Sequence, residues 1–184
     1  MFKSNTFVPV ILLAAVLGAG AAEPTVSGKI TKVDADAKTF TVKAGDNEQV
    51  IRYNDKSVFE VITLVEANDV PDGSPVKVTG KFSDGTAVIT ASTVEKMPDS
   101  YRTYKVIDEK QNYCVGILRI KDDGLTVLVG EKTITIKSSE KMKYTRRTVG
   151  SAADLETGRS VWGVLVPAEA GQEPVLKRLV ITKY

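Results

Sequence analysis

The chain has no histidine among its 184 residues, one cysteine and one tryptophan. Without histidine it lacks the commonest general base at neutral pH and the commonest zinc ligand. The lone Cys114 cannot close an internal disulfide, so stability must come from packing. On the apolar side of an expected strand it reads as a small buried hydrophobe rather than a reactive thiol, and its only covalent option would be intermolecular. Aromatic residues make up 7% of the chain, which leaves few platforms on which bases could stack. No apolar run reaches the roughly 20 residues that a membrane-spanning helix needs.

The longest apolar run, Phe7 to Leu17, lies near the start. It follows one positive charge, Lys3, and precedes the small residues Gly18-Ala-Gly-Ala-Ala22. That order is the pattern of a secretory signal peptide over residues 1–22, with cleavage after Ala21 or Ala22. No cysteine lies at the cleavage point, which disfavours a lipid anchor. A periplasmic or secreted mature chain with no transmembrane segment is expected. Hydrophobic residues at 42% and charged residues at 26% fit a globular domain rather than a disordered one.

The mature chain contains an internal repeat. Gly28, in Val26-Ser-Gly-Lys-Ile30, recurs as Gly116, in Cys114-Val-Gly-Ile-Leu118, 88 residues on. Asp69-Val70 with Gly73 and Val76 recurs as Asp154-Leu155 with Gly158 and Val161, 85 residues on, and Val88 to Lys96 matches Val175 to Lys183. Three matches in one order at nearly constant spacing indicate duplication of a whole unit. The division expected is 23–97, a linker 98–112 containing Pro98, and 113–184.

Each unit reads as five short strands. In the first, Val26 to Val33, Thr39 to Lys43 and Gln49 to Tyr53 are rich in β-branched and aromatic residues between polar turns. Phe40 and Val42 alternate with polar neighbours, the mark of a half-buried strand. Pro75 to Phe82 and Thr86 to Lys96 flank Ser83-Asp84-Gly85, an Asp-Gly hairpin signal. Between the third and fourth strands, Val58, Val61, Ile62 and Val65 fall at i, i+3, i+4 and i+7 behind Ser57 and Glu60, which predicts a short capped helix, although the β-branched content opposes it. In the second unit the connection from Ser139 to Ala153 lacks an apolar stripe and is expected to be a loop or a short helix.

Five strands with a helix between the third and fourth is the order of the oligonucleotide/oligosaccharide-binding (OB) fold, a small Greek-key barrel. The glycine in the first strand, the Asp-hydrophobic-x-x-Gly entry to the fourth and the closing Val/Ile strand resemble the small extracytoplasmic OB-like domains of bacterial envelope proteins of unknown function. The resemblance implies an all-β protein of two tandem five-stranded OB-like barrels acting as a non-enzymatic envelope module, and it transfers no catalytic residues.

Charge divides unevenly between the units. Residues 23–97 carry nine Lys/Arg and twelve Asp/Glu, net −3, whereas 98–184 carry fifteen and eleven, net +4. The excess concentrates where Lys137, Lys141, Lys143, Arg146 and Arg147 surround Tyr144. Such a cluster is the candidate ligand-binding surface, with an anionic glycan, a lipid head group or an envelope protein as partner and nucleic acid not expected in this compartment. An acidic unit and a basic unit can also dock on each other, so self-association is a further expectation. Trp162 falls in a fourth strand and reads as core.

No catalytic constellation stands out. Ser138 and Lys141 match the Ser-x-x-Lys spacing of penicillin-recognising enzymes, but without the buried helix and large domain that this chemistry needs. A paired-carboxylate hydrolase remains the enzymatic alternative, although two small barrels imply no cleft for it. Asp34 with Asp36, and Asp122 with Asp123, are explained by turn chemistry as well as by calcium, and the ligand spacing of a dedicated calcium loop is absent. No metal or cofactor is expected.

Overall fold

A computed structural model describes residues 23–83, 85, 87–102, 104–122, 124–167 and 172–184. The expected signal segment, 1–22, lies outside the described residues. The described residues form twelve strands: β1 (Thr25–Asp34), β2 (Thr39–Ala44), β3 (Asn47–Arg52), β4 (Val58–Val65), β5 (Pro75–Ser83), β6 (Val88–Lys96), β7 (Val106–Asp108), β8 (Tyr113–Lys121), β9 (Gly124–Val129), β10 (Lys132–Val149), β11 (Ser160–Val166) and β12 (Val175–Thr182). The only helical pieces among the described residues are 3-10 turns at Ala67–Asp69, Asp99–Tyr101 and Ala152–Asp154. No helix among them is long and apolar enough to cross a membrane.

Antiparallel pairing of β1 with β2, β2 with β3, β11 with β12 and β1 with β11 closes a five-stranded barrel, completed where Arg52 of β3 meets Val175 of β12 in parallel register. The strands of this barrel come from both ends of the chain, so it does not follow the division expected at 23–97 and 113–184. A second set of pairings also returns to its start: β5 with β6, β6 with β10, β10 with β9, β9 with β8 and β8 with β5. The tandem arrangement is not confirmed. The first three strands of each unit pair with the last two strands of the other.

Two separate cores reflect this exchange. One gathers Ile30, Phe40, Ile51 and Phe59 with Leu165, Leu176, Leu179 and Ile181. The other gathers Val76, Val78, Ile89 and Val94 with Leu118, Val127, Ile134 and the fully buried Cys114. Burial of Cys114 pushes its thiol up to about 12, with a backbone hydrogen bond at Val78 partly opposing, so little thiolate exists at neutral pH.

Backbone bonds repeat the exchange at matched positions. Gly73 N–H donates to Leu118 O and Leu118 N–H to Ser74 O, while Gly158 N–H donates to Ile30 O and Ile30 N–H to Arg159 O. Both Gly73 and Gly158 have positive φ, at 78° and 86°, which explains why glycine recurs there. At Gly28 and Gly116 the reason is space: a Cβ would stand 2.2 Å from Lys43 O or 2.4 Å from Leu128 O.

The expected helix at 58–65 is strand β4. Its β-branched residues lose side-chain freedom in a helix, and it finds ladder partners on both edges, β12 in parallel and β10 antiparallel. Ser57 caps nothing; its Oγ–H donates to Leu176 O at 2.7 Å. The capping arrangement lies further on, at the 3-10 turns, where Asp69 Oδ2 accepts from Glu66 N–H and Asp154 Oδ2 from Ser151 N–H, 85 residues apart. Ser139 to Val149 is likewise neither loop nor helix but the second half of the 18-residue β10. The linker carries β7, which pairs with β8.

Candidate functional site

β4 and the end of β10 are the arms by which the chain passes between the two circuits. They pair antiparallel, with Ile62 opposite Arg147, residues that are themselves 85 apart. The flanking parallel ladders match at the same offset: Arg178 to Val58 through Thr182 to Ile62, and Thr93 to Lys143 through Lys96 to Arg146. The pairing therefore has an internal two-fold relation centred on Ile62 and Arg147.

An open cleft of about 700 Å³ lies at this crossing. From the second circuit and its arm it is lined by Lys77 on β5, Glu95 on β6 and Arg147 on β10; from the first, by Trp162 on β11, Val180 on β12 and Ile62 on β4. Lys77 is register partner of Glu95, and Trp162 of Val180. Each residue of the first trio stands 85 positions from one of the second, so equivalent positions have diverged into a charged wall and an apolar one. Gln111, Tyr113, Ser160 and Thr182 complete the lining.

The charged wall is held by a partly buried network. Arg147 Nε donates to Glu95 Oε1 at 2.5 Å and Nη1 to Glu60 Oε2 at 3.2 Å. Glu60, only 5% exposed, accepts at its other oxygen from Arg178 Nη2 at 3.3 Å and from the Tyr101 hydroxyl at 3.5 Å. Burial alone pulls the Arg147 guanidinium down, but Glu95 and then Glu60 outweigh it, leaving the group above its ordinary value. Lys77 is shifted the other way: desolvation lowers its ammonium, Glu95 partly restores it and Arg147 lowers it again. Its Nζ lies 4.3 Å from the centre of the Tyr113 ring.

Trp162 is not a core residue. On β11 the alternation sends Val161, Gly163 and Leu165 inward, and Trp162, 47% exposed, outward into the cleft. That alternation is visible in the sequence. The buried Glu60 and Glu95 had a fainter signal, a carboxylate set between apolar residues of a strand, and Lys77 had none.

The six residues of the basic cluster are dispersed along β10. Arg147 enters the cleft network. Arg146 Nη2 donates to the Asp69 carbonyl at 3.2 Å and stands 3.6 Å from its carboxylate. Tyr144 lines a separate apolar hollow of about 320 Å³ with Val70, Leu118 and Leu125, and burial raises its phenol. Lys143 is exposed with Nζ 5.3 Å from the Tyr184 ring centre, and Lys137 and Lys141 are exposed. Among the described residues no three His, Cys, Asp or Glu side chains stand close enough together to hold a metal ion. Comparison with protein-family models, curated proteins and solved structures finds no match to the chain.

Proposed function

We propose that the protein is a non-enzymatic binding module of the bacterial envelope, periplasmic or secreted, built from two OB-like barrels that exchange strands within one chain. In each circuit the strands run in the order one, two, three, five, four and back to one, which supports the Greek-key reading. Its ligand lies in the cleft at the crossing. The observation that carries this reading is the placement of the single tryptophan, half-exposed, on a concave surface whose volume falls within the roughly 300–1,000 Å³ of small-ligand sites. An indole left in water at that position has a use as a stacking platform. The enzymatic alternative is weaker because Glu60 accepts hydrogen bonds at both oxygens and Glu95 is held by the same guanidinium, so the paired carboxylates serve each other's ion network.

Because Trp162 is the only tryptophan, its emission reports the cleft directly. Titration with a panel of envelope oligosaccharides is expected to give a saturable shift for at least one member. No shift with any of them, together with no heat of binding by calorimetry, would overturn the reading. A second reading, retention of polyanions along β10, is favoured by the exposure of Lys137, Lys141 and Lys143. It predicts that alanine at all three weakens binding to an anionic resin.

A further inference from the structure

We infer that the cleft takes a ring with an apolar face and one carboxylate, a hexuronate unit of an acidic glycan, stacked on Trp162 with its carboxylate on Lys77. This rests on the reading of the protein as a binding module. The argument begins with the divergence of the two walls. Trp162, Val180 and Ile62 line the cleft as apolar residues, whereas the equivalent positions, Lys77, Glu95 and Arg147, are all ionic. A ligand that satisfies both must be amphipathic across its width.

The ionic wall selects one negative charge. Arg147 and Arg178 are matched by Glu60 and Glu95 through the ion pairs already described. Lys77 remains, and no carboxylate among the described residues lies within ion-pair distance of it. The Tyr113 ring, 4.3 Å from Nζ, keeps the ammonium at the cleft instead of in bulk water. Glu95, its neighbour across the strands, acts on it only at longer range because its carboxylate is held by Arg147, and a partly desolvated cation without an ion pair of its own favours a carboxylate. One such cation suits a monoanion, whereas a nucleic acid or other dense polyanion is held by many.

The rim favours a hydroxylated ring over a plain aromatic one. Gln111, Ser160 and Thr182 line the same cleft as the indole and bring donors and acceptors to it, and the C–H face of a pyranose packs on an indole while its edge hydroxyls bond to such groups. A small aromatic carboxylate shares the ring-plus-carboxylate chemistry but leaves these side chains to water.

The test uses the full mature chain, with Trp162 emission and calorimetry as readouts. The probes are trigalacturonate, a neutral galactose trisaccharide and benzoate. Trigalacturonate is expected to bind about tenfold or more tighter than the neutral trisaccharide, the scale of one hydrogen bond to a charged group. Lys77→Gln should bring trigalacturonate to the neutral level and leave the neutral affinity unchanged. Trp162→Ala, read by calorimetry, should lose both. Unchanged melting temperatures establish that these cleft variants fold, and Lys56→Gln, an exposed lysine away from both the cleft and β10, serves as a charge control with parental affinity. Equal affinity for acidic and neutral trisaccharides, or an unaltered Lys77→Gln, overturns the hexuronate assignment while leaving the binding module standing. Binding of benzoate in preference to trigalacturonate overturns the glycan source. Binding of a neutral glycan to Trp162→Ala with parental affinity overturns the stacking arrangement, and binding of no ring at all removes the module reading itself.

Discussion

The two copies of the repeat are alike where backbone meets backbone and unlike where side chains meet solvent. Gly28 and Gly116 allow the same close strand approach, and Gly73 and Gly158 make the same left-handed turn. At the crossing, equivalent positions hold Lys77 and Trp162, Glu95 and Val180, Ile62 and Arg147. Duplication preserved what closes a barrel and freed what faces the cleft. A second difference lies in the arms: the first copy breaks between β3 and β4 at Tyr53–Ser57, whereas β10 runs through in one strand. The two-fold relation is thus a property of the pairing, and the asymmetry is a property of the site.

The hardest test of the likeness is to separate the copies. Because each circuit takes three strands from one unit and two from the other, residues 23–97 alone lack β11 and β12, and 98–184 alone lack β5 and β6. Neither half is expected to give a folded monomer, and mixing the two should restore dispersed amide resonances and a single cooperative transition. A folded monomer of residues 23–97 in sedimentation and NMR experiments would show that one copy closes a barrel with its own strands when the other is absent.

The next effect probes the unlikeness. Arg147→Met leaves Glu95 buried without its guanidinium partner and should cost about 3 kcal/mol in urea unfolding at pH 7. Adding Glu95→Met should recover part of that loss, because removing both members of a buried pair costs less than removing one. On the equivalent apolar side, Ile62→Val removes one methylene and should cost only about 1 kcal/mol. Equal losses at Ile62 and Arg147 would mean that the ion network adds nothing beyond packing.

How much of this could be read beforehand depended on the range of the interaction. The five strands expected in each unit and the hairpin at Gly85 rest on local alternation and turn chemistry and were legible, whereas the sixth strand of the first unit, β4, was not. The partner of each strand was not. A strand of one copy offers the other copy's strands the same ladder as its own, so exchange leaves no local trace. The run Val58–Val65 misled for a related reason: spacing that fits one helix face also fits a strand buried over most of its length, and the ladder partners, on β10 and β12, are 79 or more residues away in the chain. The basic cluster was legible as composition but not as a surface, because adjacent strand residues point to opposite faces. Arg146 and Arg147 accordingly reach different carboxylates, Asp69 and Glu95.

The smallest expected effect concerns a carboxylate at the turns, Asp154. Asp154 is held below the usual carboxylate range first by the hydrogen bond from Lys183 Nζ at 2.8 Å and then by the Ser151 backbone N–H. Its counterpart Asp69 faces Lys96 Nζ only through its carbonyl, at 3.5 Å, and Arg146 at 3.6 Å. A carboxyl depressed in the folded state contributes stability above its unfolded value, about 3.9, and loses that contribution as pH falls through the lower folded value. Asp154→Asn should therefore lower the urea midpoint at pH 7 by a small amount, and the gap from the parent should close on acidification below pH ~4. Asp69→Asn should lower the midpoint at pH 7 by less, since the cation its carboxylate meets is Arg146, at 3.6 Å, and the Lys96 contact is made by the carbonyl, which asparagine keeps. A pH-independent difference at Asp154 would assign the loss to the turn's hydrogen bonds rather than to charge, and would erase this last distinction between the copies.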